Sequence, residues 1–126
     1  MNIPSNLLYT KSHEWVKILE GGNALVGITD YAQSQLSDVV FVSLCGVGDI
    51  LSANGTIGDV ESIKAVSEIR SPVNGAVVRV NQDVMDDPSQ INSAPYDAWL
   101  VELSGVKGED SLLSAKAYEE LIGDEA

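Results

Sequence analysis

A chain of 126 residues, 44% of them apolar and 21% charged, has enough material for one domain with a buried core, since about two thirds of the unfolded surface is lost at this size. That composition excludes disorder, and no run approaches the roughly 18 apolar residues that span a bilayer. Nineteen acidic against seven basic residues leave a net charge of −12, which repels phosphate backbones and acidic lipid and so excludes nucleic acid and membrane surfaces as partners.

The start, Met1-Asn2-Ile3-Pro4-Ser5-Asn6, has neither the basic start and apolar core of a secretory signal nor an arginine-rich transit pattern, so the expected compartment is the cytoplasm. Cys45 is the only cysteine, which rules out an internal disulfide and fits a reducing environment. Leu7 to Ser12 leads into a strand from Glu14 to Leu19; Glu20-Gly21-Gly22-Asn23 is a turn, and Ala24 to Ile28 pairs back. Thr29 or Asp30 caps a short helix through Leu36, with Gln33 as capping-box partner of Asp30, and Ser37 with Asp38 closes it.

Val39 to Leu44 is a nearly continuous apolar run, expected to be a strand covered on both faces. Cys45 to Asp49 is a turn; its Gly46-Val47-Gly48 lacks the third glycine and the following helix of a dinucleotide loop. Two β-type runs, Thr56 to Ser62 and Val66 to Ser71, flank Lys64 and put it at a hairpin tip in water. With no glycine or asparagine in the bend, a type I turn is expected. Ser71 to Asn81 reads as strand, Asn74-Gly75 turn, strand, so two successive hairpins imply a small, twisted, antiparallel β fold. Val39 to Val42 with Gly48 to Leu51 echoes Val77 to Val80 with Asn81 to Val84, placing Lys64 between two similar halves. Met85 to Ala94 reads as a surface loop without calcium-loop spacing, and Trp99, Val101 and Leu103 alternate with Leu100 and Glu102 as a last strand. From Ser114, an N-cap, Tyr118, Leu121 and Ile122 share a helical stripe that packs across the sheet.

Conventional catalysis finds little material here. One His and one Cys make no zinc cluster; His13 reads as a packing and hydrogen-bonding residue and Cys45 as a small core or turn residue. Asn54-Gly55-Thr56 matches a glycosylation acceptor, without consequence in the cytoplasm. Taken alone, an exposed lysine means solubility, but this one has a distinctive setting.

Glu61-Ser62-Ile63-Lys64-Ala65 followed by Pro72-Val73-Asn74-Gly75 resembles the lipoyl-lysine hairpin of the H proteins of the glycine cleavage system. The likeness covers nearly the whole chain, through His13-Glu14-Trp15-Val16, Gly27 to Gln33, Asp38 to Val42, and Pro95-Tyr96 with Trp99. Ser37, Ala98, Glu68 and the Cys45-Gly46 pair depart from the glycine, glycine, aspartate and proline-acidic residues usual there. The resemblance implies one carrier domain over residues 1–126: mainly β with short helices (α+β), a flattened two-sheet β sandwich of the lipoyl/biotinyl carrier type with a C-terminal helix. It implies lipoic acid linked covalently to Lys64, with Glu61 read by a lipoate ligase or a lipoyl/octanoyl transferase. Acylation needs a neutral amine, whereas an exposed lysine near Glu61 is expected to be charged, so activation comes from that separate enzyme.

What the resemblance further implies is a carrier and not an enzyme. Its arm takes an aminomethyl group from the pyridoxal-phosphate glycine decarboxylase, delivers it to the tetrahydrofolate-dependent aminomethyltransferase and is reoxidised by dihydrolipoyl dehydrogenase. The loaded arm folds against a cleft in which oxygens of Ser12, Glu14 and Glu68 accept hydrogen bonds from the ammonium. On the residues alone, Glu14 and Glu68 read as solvated strand charges. Two alternatives use the same sequence: a relay that donates lipoate to other complexes, and an unmodified acidic module that binds basic-rimmed proteins. A biotin carrier is disfavoured because Ile63 and Ala65 stand where biotin sites carry methionines.

Overall fold

The β-type runs of the sequence pair into two antiparallel sheets in this computed structural model, which describes residues 2–125. Leu8–Tyr9 (β1), Glu14–Ile18 (β2), Ala24–Ile28 (β3), Val101–Lys107 (β9), Asn74–Val80 (β8) and Ile50–Leu51 (β5) lie side by side in one sheet. Val39–Leu44 (β4), Thr56–Ser62 (β6) and Val66–Arg70 (β7) form the other. Between the layers sits an apolar core that includes Val26, Val42, Ile57, Val60, Ile69, Val77 and Leu103. Among the described residues, four α-helices decorate the sheets, Asp30–Leu36 (α1), Gln82–Asp86 (α2), Gln90–Ser93 (α3) and Ala115–Glu125 (α4), with a short 3-10 turn at Glu109–Ser111. The architecture is mainly β with a C-terminal helix, as expected.

Local chemistry explains the pieces that position the site. Trp15 on β2 stands opposite Gly27 on β3, and a Cβ at residue 27 would lie only 2.5 Å from the Trp15 ring. Only glycine lets that ring lie across the strand, from where its Nε1 donates to the Pro95 carbonyl at 3.0 Å. Thr29 caps α1 by accepting from Ala32 N at 3.2 Å, whereas Gln33 Nε2 donates to Asp30 Oδ1 at 2.8 Å and not back to the cap backbone. Ser114 Oγ caps α4, accepting from Ala117 N at 3.2 Å. Tyr118 of that helix stacks on Tyr9 with ring centroids 4.7 Å apart, closing a second core with Leu7, Trp15 and Ile122. Burial there pushes the Tyr9 hydroxyl well above its ordinary pKa.

Five expectations differ from the structure. Asn74-Gly75 makes no turn: both residues open β8, and a Cβ at Gly75 would press on Leu103 and the Ser104 carbonyl, so this glycine serves close strand approach. The bend falls instead at Ser71-Pro72-Val73. β4 is not covered on both faces, because an irregularity between Val39 and Phe41 turns Val40 and Phe41 outward while Val39 and Val42 stay buried. Residues 85–94 are not a plain loop: Asn81 Oδ1 accepts from Asp83 N at 3.2 Å to start α2, and Val84 and Ile91 anchor α2 and α3 in the core. Leu100, Val101, Glu102 and Leu103 are all buried, so the last strand shows no wet face there, and β9 runs on to Lys107. The internal echo holds for β4 and β8, one in each sheet, but Ile50–Leu51 is a strand where Gln82–Asp86 is a helix.

Candidate functional site

The lysine hairpin is held by local bonds. β6 and β7 pair with Glu61 opposite Val66, leaving Ser62 to Ala65 as the bend. Ser62 N donates to the Ala65 carbonyl at 2.8 Å, and the buried Ser62 Oγ accepts from the amides of Lys64 at 3.1 Å and Ala65 at 3.0 Å. A serine hydroxyl satisfying its own turn fixes the bend without glycine. Neither Ile63 nor Lys64 has a positive φ, in keeping with a non-primed turn. Ile63 N donates to the Asp38 carbonyl at 3.1 Å, which ties the tip to the segment after α1.

Lys64 is exposed, and its Nζ donates to the Gln35 carbonyl at 3.3 Å. That carbonyl lies in the last turn of α1, where unpaired carbonyls favour a cation. Gln35 also rims a cleft of about 170 Å³ with Ser12, His13, Tyr31, Ser67 and Ile69. Ser12 then lines a second groove of about 380 Å³ together with Glu14, Asn54, Ser71 and Pro72. Ser67, Ile69 and Ser71 are alternate residues of β7 and its continuation, so cleft and groove follow one strand face. Four residues of strand cover ~13 Å.

Glu14, only 3% exposed, borders that groove. Its Oε1 accepts from Thr10 Oγ1 at 2.6 Å and from Ser12 Oγ at 2.7 Å. The tight β1 to β2 turn, with His13 at φ 73°, folds both hydroxyls onto the carboxylate. A half-satisfied carboxylate beside a serine hydroxyl is an acceptor set suited to an ammonium. The structure brings Ser12 and Glu14 together and does not bring Glu68 to them. Glu68 faces away from Ser67 and Ile69, opposite Asp59, and pairs with Arg70 at 2.8 Å. Glu61 is exposed on that same outer face.

His13 shares a 2.8 Å hydrogen bond with the Tyr118 hydroxyl, which also bonds Thr29 Oγ1 at 2.7 Å, and its ring tilts against Tyr31 with centroids 4.7 Å apart. It forms cleft wall. Burial, with the charge of Asp49, pushes the Cys45 thiol up, away from the thiolate a nucleophile needs. Among the described residues, no group of three His, Cys, Asp or Glu is placed to hold a metal, and no helix is long and apolar enough to cross a membrane. Sequence reasoning missed Gln35, Ser67 and Tyr31. The alternation Ser67-Glu68-Ile69 was a readable signal for the cleft face; the approach of Gln35 from another element left none.

The sequence pattern of the family described as glycine cleavage H-protein matches residues 7–125. The chain belongs to this family. The glycine cleavage system H protein of Staphylococcus haemolyticus is 49% identical over 98% of this chain and 100% of its own length, and that of Anoxybacillus flavithermus 47% identical over 99% and 100%. The crystal structure of a glycine cleavage system H protein from Mycobacterium marinum superposes with a TM-score of 0.85 at 40% identity, covering 98% of both chains. The role that follows is the lipoyl-carrier role of the glycine cleavage system. The matched H-protein span contains the β1 to β2 turn, α1 and the lysine hairpin, the three pieces that meet around the cleft.

Proposed function

We propose that Lys64 carries the lipoyl group as an amide and that the arm rests in the cleft beginning at Gln35. The observation that carries this reading is a solvent-exposed amine on a hairpin fixed by Ser62, 3.3 Å from the carbonyl that rims the cleft. Held on Lys64, a dithiolane would supply a disulfide whose S–S bond can open, one sulfur taking the aminomethyl fragment with the electron pair left when glycine loses carbon dioxide and the other leaving as a thiol. Ser12 and Glu14 accept hydrogen bonds from the ammonium end of the cargo, and Thr10 holds Glu14 in place for that task. His13 and Tyr31 wall the cleft and limit water there. Glu68, paired with Arg70 on the other face, stands outside the ammonium site.

On this reading the residues of one carrier domain, 1–126, perform no catalysis of their own. Glycine decarboxylase loads the arm, aminomethyltransferase unloads it and dihydrolipoyl dehydrogenase restores it, in the cytoplasm. A lipoate ligase or lipoyl/octanoyl transferase reads Glu61 and the hairpin. Mass analysis of protein from cells with working lipoylation should find one lipoyl adduct, on the peptide containing Lys64, and Lys64→Arg should abolish both adduct and glycine cleavage in a reconstituted system. An unmodified wild-type chain, or an active Lys64→Arg variant, overturns the reading.

A further inference from the structure

Four large apolar side chains stand in water around the lysine hairpin: Val40, 53% exposed, Phe41, 57%, Ile63, 69%, and Val66, 63%. Register gathers them. Phe41 on β4 lies opposite Glu61 on β6, and Glu61 lies opposite Val66 on β7, so Phe41, Glu61 and Val66 form one row across the outer face of the three-stranded sheet. Ile63 lies in the bend, two residues beyond Glu61 and beside Lys64. A second row, Ser43, Asp59 and Glu68, runs parallel to the first. The face is thus apolar at the tip with a carboxylate, Glu61, inside it and carboxylates, Asp59 and Glu68, behind it. The irregularity in β4 that exposes Val40 and Phe41 makes the patch, since a regular strand would turn one of them inward. Exposed apolar groups concentrated beside a reactive side chain mark a contact surface.

We infer that this outer face docks the acyl-transferring enzyme that modifies Lys64, against an apolar recess bordered by lysine or arginine side chains. The inference rests on Lys64 as the attachment point. Reach selects this occupant over the enzymes that later meet the arm. An enzyme acting on Nζ must bring the acyl carbonyl carbon of an activated ester or thioester into bonding distance of the hairpin tip. There the new C–N bond forms, the donor's C–O or C–S bond breaks and the amine releases its proton. Its walls must therefore cover Ile63, Phe41 and Val66. Once attached, the arm can leave its cleft and reach beyond the tip, so a later partner need not touch these residues. Arg70 on the same face balances Glu68, so Glu61 and Asp59, in a chain of net charge −12, set the sign of the rim that fits. The recognition surface is accordingly wider than Glu61 alone.

The test uses the unmodified full-length chain with a lipoate ligase, ATP and lipoate. Acylation is followed by intact mass, and binding of the unmodified chain to the ligase by calorimetry. Phe41→Ser and, separately, Val66→Ser should raise KM and Kd by roughly tenfold with kcat within about twofold. Ile50→Ser, which removes a still more exposed isoleucine from the other sheet, should match wild type. Wild-type KM should rise with added salt. Wild-type kinetics and affinity in both face variants overturn the inference. So does a loss seen only when pre-lipoylated variants meet aminomethyltransferase, which would make this a client surface, or a wild-type dimer in sedimentation that Phe41→Ser dissociates, which would make it a contact between copies. A wild-type chain that binds the ligase but is never acylated refutes Lys64 as the attachment point, while the binding data still decide the face.

Discussion

Lys64 and Gln35 meet from elements 29 residues apart, the lysine Nζ donating to the glutamine carbonyl at 3.3 Å on the exposed end of α1. One exposed bond of this kind contributes little, so Lys64→Ala should change the unfolding free energy by less than about 0.5 kcal/mol. The same change removes the only amine on the hairpin. Urea unfolding together with mass analysis separates the two roles: a loss of several kcal/mol would show that the lysine is there to hold α1.

Ser62 is where the stability of the tip resides. Its buried Oγ accepts from two turn amides, and removing it leaves both without their partner. Ser62→Ala should cost about 1–2 kcal/mol, speed hydrogen exchange at the Lys64 and Ala65 amides, and raise KM for acylation. Unchanged exchange at those amides would mean that the strands alone hold the bend.

The strands that pair with sequence neighbours were legible: β2 with β3 and β6 with β7 follow from β-branched runs and the turns between them, and α1 and α4 from caps and stripes. What went unread depends on non-local neighbours. Gly75 looks like half of a hairpin turn until Leu103 and Ser104 are known to press on it. The β4 run looks buried until its irregularity is seen to turn Phe41 outward. The site divides the same way. Lys64 is visible from its own hairpin, and Ser12 with Glu14 from a two-residue spacing, but the wall that Gln35 and Tyr31 supply comes from α1.

Ser37 ends α1 at φ 69°, ψ −152°, a conformation suited to glycine, and Asn92 Nδ2 holds its carbonyl at 2.7 Å. A side chain there costs of order 1–3 kcal/mol, part of which glycine regains against its greater freedom when unfolded. Ser37→Gly should therefore stabilise the protein by about 1 kcal/mol. The midpoint of urea denaturation should rise with an unchanged slope; a lower midpoint would show that the serine hydroxyl offsets the strain.

Tyr118 joins three elements through one oxygen, bonding Thr29 Oγ1 at the start of α1 and His13 Nδ1 in the β1 to β2 turn. Tyr118→Phe keeps the stack on Tyr9 but leaves buried polar groups short of a partner, at a cost of about 1–2 kcal/mol. Acylation of Lys64 should be unaffected, because the hairpin is held by its own bonds. A large fall in acylation with stability intact would instead give His13 a direct part in recognition.

Glu102 supplies the pH dependence. Buried on β9, it accepts from Asn23 Nδ2 at 2.8 Å and from Arg79 Nε at 2.8 Å, and Arg79 in turn lies 4.8 Å over the Trp99 ring. The Asn23 hydrogen bond first, and Arg79 after it, hold the Glu102 carboxyl below the usual glutamate range. A carboxyl lowered on folding binds its proton more readily in the unfolded chain. Its stabilisation is therefore complete above the ordinary value, near 4.3, and is lost as pH falls through the lower folded value. Glu102→Gln should cost about 1–2 kcal/mol at pH 7, since Arg79 is half exposed and partly screened. Measured by urea unfolding from pH 7 to pH 3, the gap between wild type and variant should narrow below about pH 4. A gap that stays constant would assign the loss to packing against Asn23 rather than to charge.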